Sequence, residues 1–224
     1  MKQYLGPMAA LLWKDILLEA RTKDIVVAVL VFSLLVIVIF NFAIDPTPAT
    51  IGLVAPGVLW VAFVFGGVLG ITRSFALEKD NNSMLALMMT PVSRDTLFYG
   101  KMLANLIFML LVEALAFPVF AILFNFPLFV WELIPVAFLS TLGIVTVGTV
   151  FSAMAVNTRA REVMLPLLFL PVVLPAVIAA VEISGLVLRG GPFSEIAPWL
   201  PLLTAFDAVF LVASPIAFHM VVED

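Results

Sequence analysis

The chain has 224 residues, of which 64% are hydrophobic and 12% are charged, and its formal net charge is −4. This composition excludes a soluble globular domain and predicts an integral membrane protein. Because the sequence contains no cysteine, it also excludes disulfides and thiolate metal sites.

Residues 1–24 predict an amphipathic helix that lies on the membrane surface before the chain enters the bilayer. Lys14 and Arg21 lie on its polar side, and Trp13 is a plausible anchor at the membrane interface. The predicted apolar face consists of Leu5, Ala9, Leu12, Trp13 and Ile16.

Six stretches are long enough to cross a hydrocarbon core of about 30 Å, which needs roughly 20 apolar residues. They run over residues 25–44, 51–72, 102–124, 133–156, 163–181 and 199–222. The fold class is therefore predicted to be an all-α integral membrane protein with six transmembrane helices. These spans leave no room for a soluble catalytic domain, so residues 1–224 are interpreted as one transmembrane domain.

Small residues predict where helices approach each other closely. Gly66 and Gly70 form a Gly-x-x-x-Gly spacing in the second span, which lets two helix backbones come together in lipid. Gly143, Gly148 and Ser152 provide similar small positions in the fourth span.

The central loop, residues 73–101, is the long polar interruption between the second and third spans. Residues 84–89, Met-Leu-Ala-Leu-Met-Met, predict a very short helix that stops at Pro91. Such a short helix needs a surface to pack on, which is either a partner's groove or the lipid headgroups. Ser93 is predicted to cap the next helix, with Asp95 in its first turn.

The fifth span carries Pro166, Pro171 and Pro175. Proline removes a backbone donor and crowds the preceding turn. Three prolines in residues 163–181 therefore predict an irregular helix, followed by a loop over residues 182–198.

The basic residues predict the orientation of the chain. Ten of the eleven Lys and Arg residues lie on one side of the predicted spans, and Arg189 alone lies on the other. The positive-inside rule makes the first side cytoplasmic. Both termini and the central loop are thus expected in the cytoplasm.

Two acids lie inside predicted spans: Glu113 in the third and Asp207 in the sixth. An acid in lipid needs a partner, water or a protein interface. Two roles stay open for them, a structural or subunit-contact role and a direct part in transport. His219, the only histidine, is either an ordinary interfacial residue or an axial heme ligand.

No enzyme site can be assembled from these residues, since the sequence has no Gly-rich phosphate loop and no metal-ligand cluster. If ATP is used, another chain binds it. A stand-alone channel or secondary transporter, with Glu113 and Asp207 as ion or proton sites, is the alternative from another class. Such transporters often carry inverted repeats, and no convincing repeat is visible here.

Residues 77–101, LEKDNNSMLALMMTPVSRDTLFYGK, resemble the coupling segment of ABC-2 type permeases, the membrane subunits of one class of ATP-binding-cassette transporters. Within that class the chain resembles the cytochrome c maturation permeases, the CcmB (heme exporter protein B) family. The resemblance is carried by APGVLWVAF (residues 55–63), LPLLFLPVVLPAVIAAVE (165–182) and LPLLTAFDAVF (200–210), and it covers nearly the whole chain.

The resemblance implies a permease subunit for heme delivery or export in c-type cytochrome biogenesis, driven by a separate ATPase. Drug, lipid or glycan export remains the alternative within the class. The residues that the resemblance assigns to contact with the ATPase are Glu78, Met84, Leu85, Leu87, Met88 and Pro91.

Further partners are implied: a second copy of the chain, a heme-handling membrane protein, a small single-span subunit, a periplasmic heme chaperone and the lipid bilayer of the bacterial inner membrane. No nucleic-acid partner is expected. No cofactor is assigned to this chain, and heme is expected as a substrate of the whole complex.

Overall fold

The computed structural model describes residues 2–44, 47–80, 93–155 and 161–221, and throughout these ranges the regular secondary structure is helical. The all-α prediction is confirmed. The helices are α1 (Lys2–Thr22), α2 (Asp24–Ala43), α3 (Pro48–Asp80), α4 (Arg94–Leu123), α5 (Leu133–Ala155), α6 (Arg161–Leu188), α7 (Phe193–Ile196) and α8 (Leu200–Val221).

Six of the described helices, α2 to α6 and α8, are long and apolar enough to cross a membrane, as predicted. Several extend beyond their predicted ends: α3 continues to Asp80 and α4 already begins at Arg94. The cap at Ser93 explains the early start of α4, because its side chain accepts a hydrogen bond from the Thr96 N–H, as predicted. A cap, rather than the limit of the apolar run, therefore determines where α4 begins.

Polar contacts show that the helices alternate in direction. At one end of the bundle, Arg73 of α3 lies 3.9 Å from Asp24 of α2, and Arg94 of α4 donates to the carbonyl of His219 in α8. α1 also packs at this end, which we call the α1 end.

At the opposite end, the Arg189 Nη1 donates to the carbonyl of Gly52, at the start of α3, over 3.2 Å. The Asn41 side chain donates to the carbonyl of Leu123, which joins the last turns of α2 and α4. We call this end the Arg189 end. These contacts place the end of α3 and the start of α4 at the α1 end.

The predicted irregularity of the fifth span is wrong, since α6 is one helix over Arg161–Leu188. Pro171 and Pro175 lie four residues apart on the exposed side of α6, so the face that packs against α3 and α5 is intact.

The predicted loop over residues 182–198 also begins too early. α6 ends at Leu188, and Gly190 then adopts a left-handed conformation with φ of 69°. The Gly191 N–H donates to the carbonyl of Leu186 over 2.8 Å, which satisfies a carbonyl that the helix end leaves free. A glycine terminator, two residues beyond the helix, therefore sets this boundary.

The predicted close approach at Gly66 and Gly70 is confirmed. A Cβ at Gly66 would lie 2.9 Å from the Ser33 Oγ, and one at Gly70 would lie 2.9 Å from a methyl carbon of Val29. α2 thus packs directly on the backbone of α3, and the Ser33 hydroxyl donates to the carbonyl of Ala62 over 3.3 Å.

Gly143 brings α5 against α8, and this contact leads to a testable prediction. A Cβ at Gly143 would lie 2.6 Å from the Asp207 Oδ1 and 2.9 Å from the ring of Phe206. Overpacking a core costs about 1–3 kcal/mol. We expect Gly143→Ala to lower the free energy of unfolding by this order, measured by denaturant unfolding in detergent micelles.

Gly57→Ala is the matched control, because a Cβ at Gly57 in α3 has nothing within 4 Å. Alanine is favoured over glycine inside a helix by up to about 1 kcal/mol, so this variant should be neutral or stabilised. Equal stability of the two variants would show that the α5–α8 contact relaxes without cost.

Candidate functional site

The predicted ATPase-contact residues fall mostly on residues 81–92, outside the described part of the chain. This applies to Met84, Leu85, Leu87, Met88 and Pro91. Glu78 lies in the last turn of α3. Their assigned role stays a prediction, and the structure instead describes the helices on both sides of this segment.

A buried ion pair holds these flanking helices together at the α1 end. The Lys101 Nζ of α4 lies 3.0 Å from the Asp15 Oδ2 of α1, and both side chains are less than a tenth exposed. The Lys101 Nζ is also 3.5 Å from the Ser74 Oγ and 5.7 Å from the centre of the Phe75 ring, both on α3. We call Asp15, Ser74, Phe75 and Lys101 the Lys101 cluster.

The Lys101 cluster joins three helices through one ammonium group. A lysine that enters an apolar span is costly unless its charge is compensated, and Asp15 supplies that compensation. The second oxygen of Asp15 is 3.1 Å from the Lys14 Nζ, so the carboxylate lies between two cations. The cluster therefore fixes α1 to both helices that border residues 81–92.

A second contact fixes α1 to the start of α2. The Glu19 Oε1 accepts a hydrogen bond from the Val26 N–H over 2.7 Å, and Glu19 is buried. The first N–H groups of a helix lack partners within it, and a carboxylate there also interacts favourably with the helix dipole. Lys23, in a left-handed conformation with φ of 59°, makes the turn between α1 and α2.

The predicted apolar face of α1 agrees only in part with the side of α1 that packs on the bundle. Trp13, predicted as an interface anchor, is 64% exposed and so is free to contact lipid or a partner chain. However, the side that packs on the bundle carries Asp15, Glu19 and Leu11. The Cβ of Leu11 lies 3.2 Å from the position that a Cβ on Gly100 would take. The available signal was Lys101, a cation directly before the third predicted span and flanked by apolar residues, which requires an acid from another element.

Glu113, the first intramembrane acid, is buried in α4. Its Oε1 accepts a hydrogen bond from the Thr141 hydroxyl of α5 over 2.6 Å. Its Oε2 is buried and has no hydrogen-bond partner among the described residues. Thr141 therefore fixes the orientation of the carboxyl while one of its oxygens stays unsatisfied.

Asp207, the second intramembrane acid, is buried in α8 beside Gly143 of α5. Neither of its carboxyl oxygens has a hydrogen-bond partner within the described ranges. Glu113 and Asp207 thus contact α5 at positions 141 and 143, and each side chain is buried within a single copy of the chain. In the part of the chain that the structure describes, no three His, Asp or Glu residues are grouped to hold a metal ion.

The sequence model of the CcmB protein family matches residues 7–224. Heme exporter protein B of Rhodobacter capsulatus is 30% identical over 211 residues, which cover 94% of this chain and 95% of the relative. Heme exporter protein B of Paracoccus denitrificans is 30% identical over 212 residues, with the same coverage of both chains. Heme exporter protein B of Pseudomonas aeruginosa is 31% identical over 180 residues, 79% of each chain.

Proposed function

Because the chain belongs to the CcmB family, we infer that it is the permease subunit of the heme-delivery system for cytochrome c biogenesis. The observation that carries this conclusion is the family match over nearly the whole chain, together with the six helices among the described residues that are able to cross a membrane. Family membership disfavours drug, lipid or glycan export, and it equally disfavours a stand-alone channel or secondary transporter.

The energy source is proposed to be an ABC ATPase, a separate chain that binds and hydrolyses ATP. We propose that it docks on the central loop, residues 73–101, through Glu78 and the short apolar helix at 84–89. The Lys101 cluster supports this placement, because it ties α1, α3 and α4 together near the ends of the two helices that border residues 81–92. A docking segment between rigid flanks transmits movement to the spans, whereas a loosely attached segment absorbs it.

The proposed location is the bacterial inner membrane, with the α1 end and both termini in the cytoplasm. Ten of the eleven basic residues support this orientation, and Arg189 is then the single basic residue on the periplasmic side. ATP is available only in the cytoplasm, so the same orientation gives the central loop access to an ATPase.

A second copy of the chain is the next proposed partner, and α2 offers a surface for it. This helix exposes a continuous apolar strip, and its membrane-spanning part is only 22% buried. The heme-handling membrane protein, the single-span subunit and the periplasmic heme chaperone complete the proposed assembly. The exposed residues of the α2 strip are Val27, Val31, Leu35 and Ile39.

The test is a heme-stained gel of membrane proteins from cells that lack this gene, with and without a plasmid copy. We expect the covalent-heme bands to disappear in the deletion strain and to return with the plasmid. Non-covalent heme, measured in the same membranes, is the control and should persist. Unchanged covalent-heme bands would contradict the proposed function and would make another ABC-2 substrate the leading hypothesis.

A further inference from the structure

A cavity of about 510 Å³ lies between α3, α4 and α5, in the half of the bundle nearer the Arg189 end. Its walls include Leu59 and Phe63 of α3 and Phe117 of α4, and residues 128–130, in the connection between α4 and α5, border it. Ser184 of α6 forms part of its inner wall. Of the residues described in the candidate site, Glu113 lines this cavity, whereas Asp15, Lys101 and Asp207 do not.

The wall of the cavity is apolar apart from two side-chain groups that can form a new hydrogen bond. Glu113 is one of them, and its Oε2 has no partner among the described residues. Ser184 is the other, and its hydroxyl accepts from the Trp60 Nε1–H over 2.9 Å. Trp60 is thereby satisfied, whereas the carboxyl of Glu113 retains an unused oxygen. Buried polar atoms without partners are rare, so this oxygen points to a missing hydrogen-bond partner.

The mouth of the cavity opens on the outer surface of the bundle. Phe129 is 78% exposed, and Leu128 and Ile134 are each 59% exposed. A molecule that enters between these side chains comes from the lipid phase or from a neighbouring membrane chain. Cavities of roughly 300–1,000 Å³ are the size that holds small organic ligands, whereas a single side chain from a partner helix would leave most of this volume empty.

We propose that the cavity binds a small, membrane-soluble and mainly apolar molecule with one hydroxyl or amine group that forms a hydrogen bond with the carboxyl of Glu113. The apolar walls favour a ligand with an apolar skeleton. The Glu113 carboxyl, which Thr141 fixes in orientation, favours a ligand that carries one polar group. An anionic ligand falls outside this class, because the cavity wall has no cation to compensate a buried negative charge.

This inference goes beyond the proposed function, since heme, with its carboxylates, is not a member of the ligand class. It also stands if the heme-delivery assignment fails, because it depends only on the cavity and on Glu113.

The test uses the purified full-length chain in lipid nanodiscs and three fluorescent probes of one shape. The probes are 9-anthracenemethanol, which has a hydroxyl donor, 9-methylanthracene, which has none, and 9-anthracenecarboxylate, which is anionic. Ala114→Phe fills the cavity from α4 and provides the background of probe dissolved in lipid. Above that background, we expect the alcohol to bind about fivefold more tightly than the methyl compound, the effect of one typical hydrogen bond.

Two substitutions test whether the preference for the alcohol over the methyl compound depends on the Glu113 carboxyl. Glu113→Leu should bind both neutral probes equally, with the methyl compound unaffected, whereas Asp207→Leu removes a buried acid outside the cavity and should keep the preference. Ala137→Phe, which fills the cavity from α5, replaces Ala114→Phe if that variant elutes as an aggregate in size-exclusion chromatography. Equal binding of the alcohol and the methyl compound by the wild-type chain would overturn the proposal, as would tightest binding of the carboxylate.

Discussion

Lys101→Met should lower the free energy of unfolding of the chain by about 3–5 kcal/mol, the usual cost of removing one partner of a buried ion pair. The Asp15 carboxylate would keep its contact with Lys14, which is two-fifths exposed, and would stay buried against α4. The contacts of Lys101 with Ser74 and Phe75 would also be lost. We expect α1 to detach first, because this cluster is its main polar attachment to α4. Denaturant unfolding in detergent measures the stability, and limited proteolysis of α1 measures the detachment.

Arg73→Met is the matched control for Lys101→Met. Arg73 also pairs with an acid at the α1 end, Asp24, but at 3.9 Å and with both side chains about half exposed. Exposed pairs are worth about 0–1 kcal/mol, so this variant should remain close to the wild type. If Lys101→Met and Arg73→Met lose the same stability, the Lys101 cluster does not hold the helices together.

The double variant Asp15→Leu/Lys101→Met separates the ion pair from the packing around it. Replacing a whole buried pair by apolar side chains is often neutral or stabilising. We therefore expect the double variant to recover most of the stability that Lys101→Met loses. A double variant as unstable as the single one would assign the effect to the lost contacts with Ser74 and Phe75.

Substitution of both Met84 and Leu87 by Asp should abolish co-purification of the proposed ATPase partner. These residues supply the apolar face of the short helix expected at 84–89, and aspartate would bury two unpaired charges in a docking groove. Loss of such central apolar contacts costs at least about 2 kcal/mol at an interface, which weakens binding about 30-fold or more. The measurement is the ratio of the two chains after affinity purification from membranes.

Phe193→Asp serves as the control for this double substitution. Phe193 is 69% exposed in α7 at the Arg189 end, so an aspartate there adds a charge far from the central loop. The ATPase should be retained in this variant. Retention of the ATPase by the Met84/Leu87 variant as well would contradict the docking proposal and favour a helix that lies only among lipid headgroups.

The membrane class and the number of spans could be read from the sequence because they depend on local chemistry. A helix that crosses lipid must satisfy its own backbone hydrogen bonds and carry about 20 apolar residues, and both requirements are met within one stretch of chain. The Gly66-x-x-x-Gly70 spacing is equally local, and α2 does pack against it. The family could be recognised for the same reason, since its motifs are contiguous.

Helix ends and helix regularity were less predictable, because hydropathy does not determine them. Ser93 caps α4 before the predicted third span begins, and Gly190 terminates α6 beyond the end of the predicted fifth span. The prolines of α6 looked disruptive in the sequence. Pro171 and Pro175 nevertheless lie on the exposed side of a helix whose opposite face packs without interruption.

The fold class, the six predicted spans, the asymmetry of basic charge and the family follow from the residues and their order along the chain. Packing between distant helices, in contrast, pairs Asp15 with Lys101, joins Thr141 to Glu113 and places Glu113 in the wall of an apolar cavity. The physical reason is that spanning lipid is a property of each helix alone. A buried polar or charged group takes its partner from whichever helix packs beside it, and the partner here is 86 residues away for Lys101 (101 − 15) and 28 residues away for Glu113.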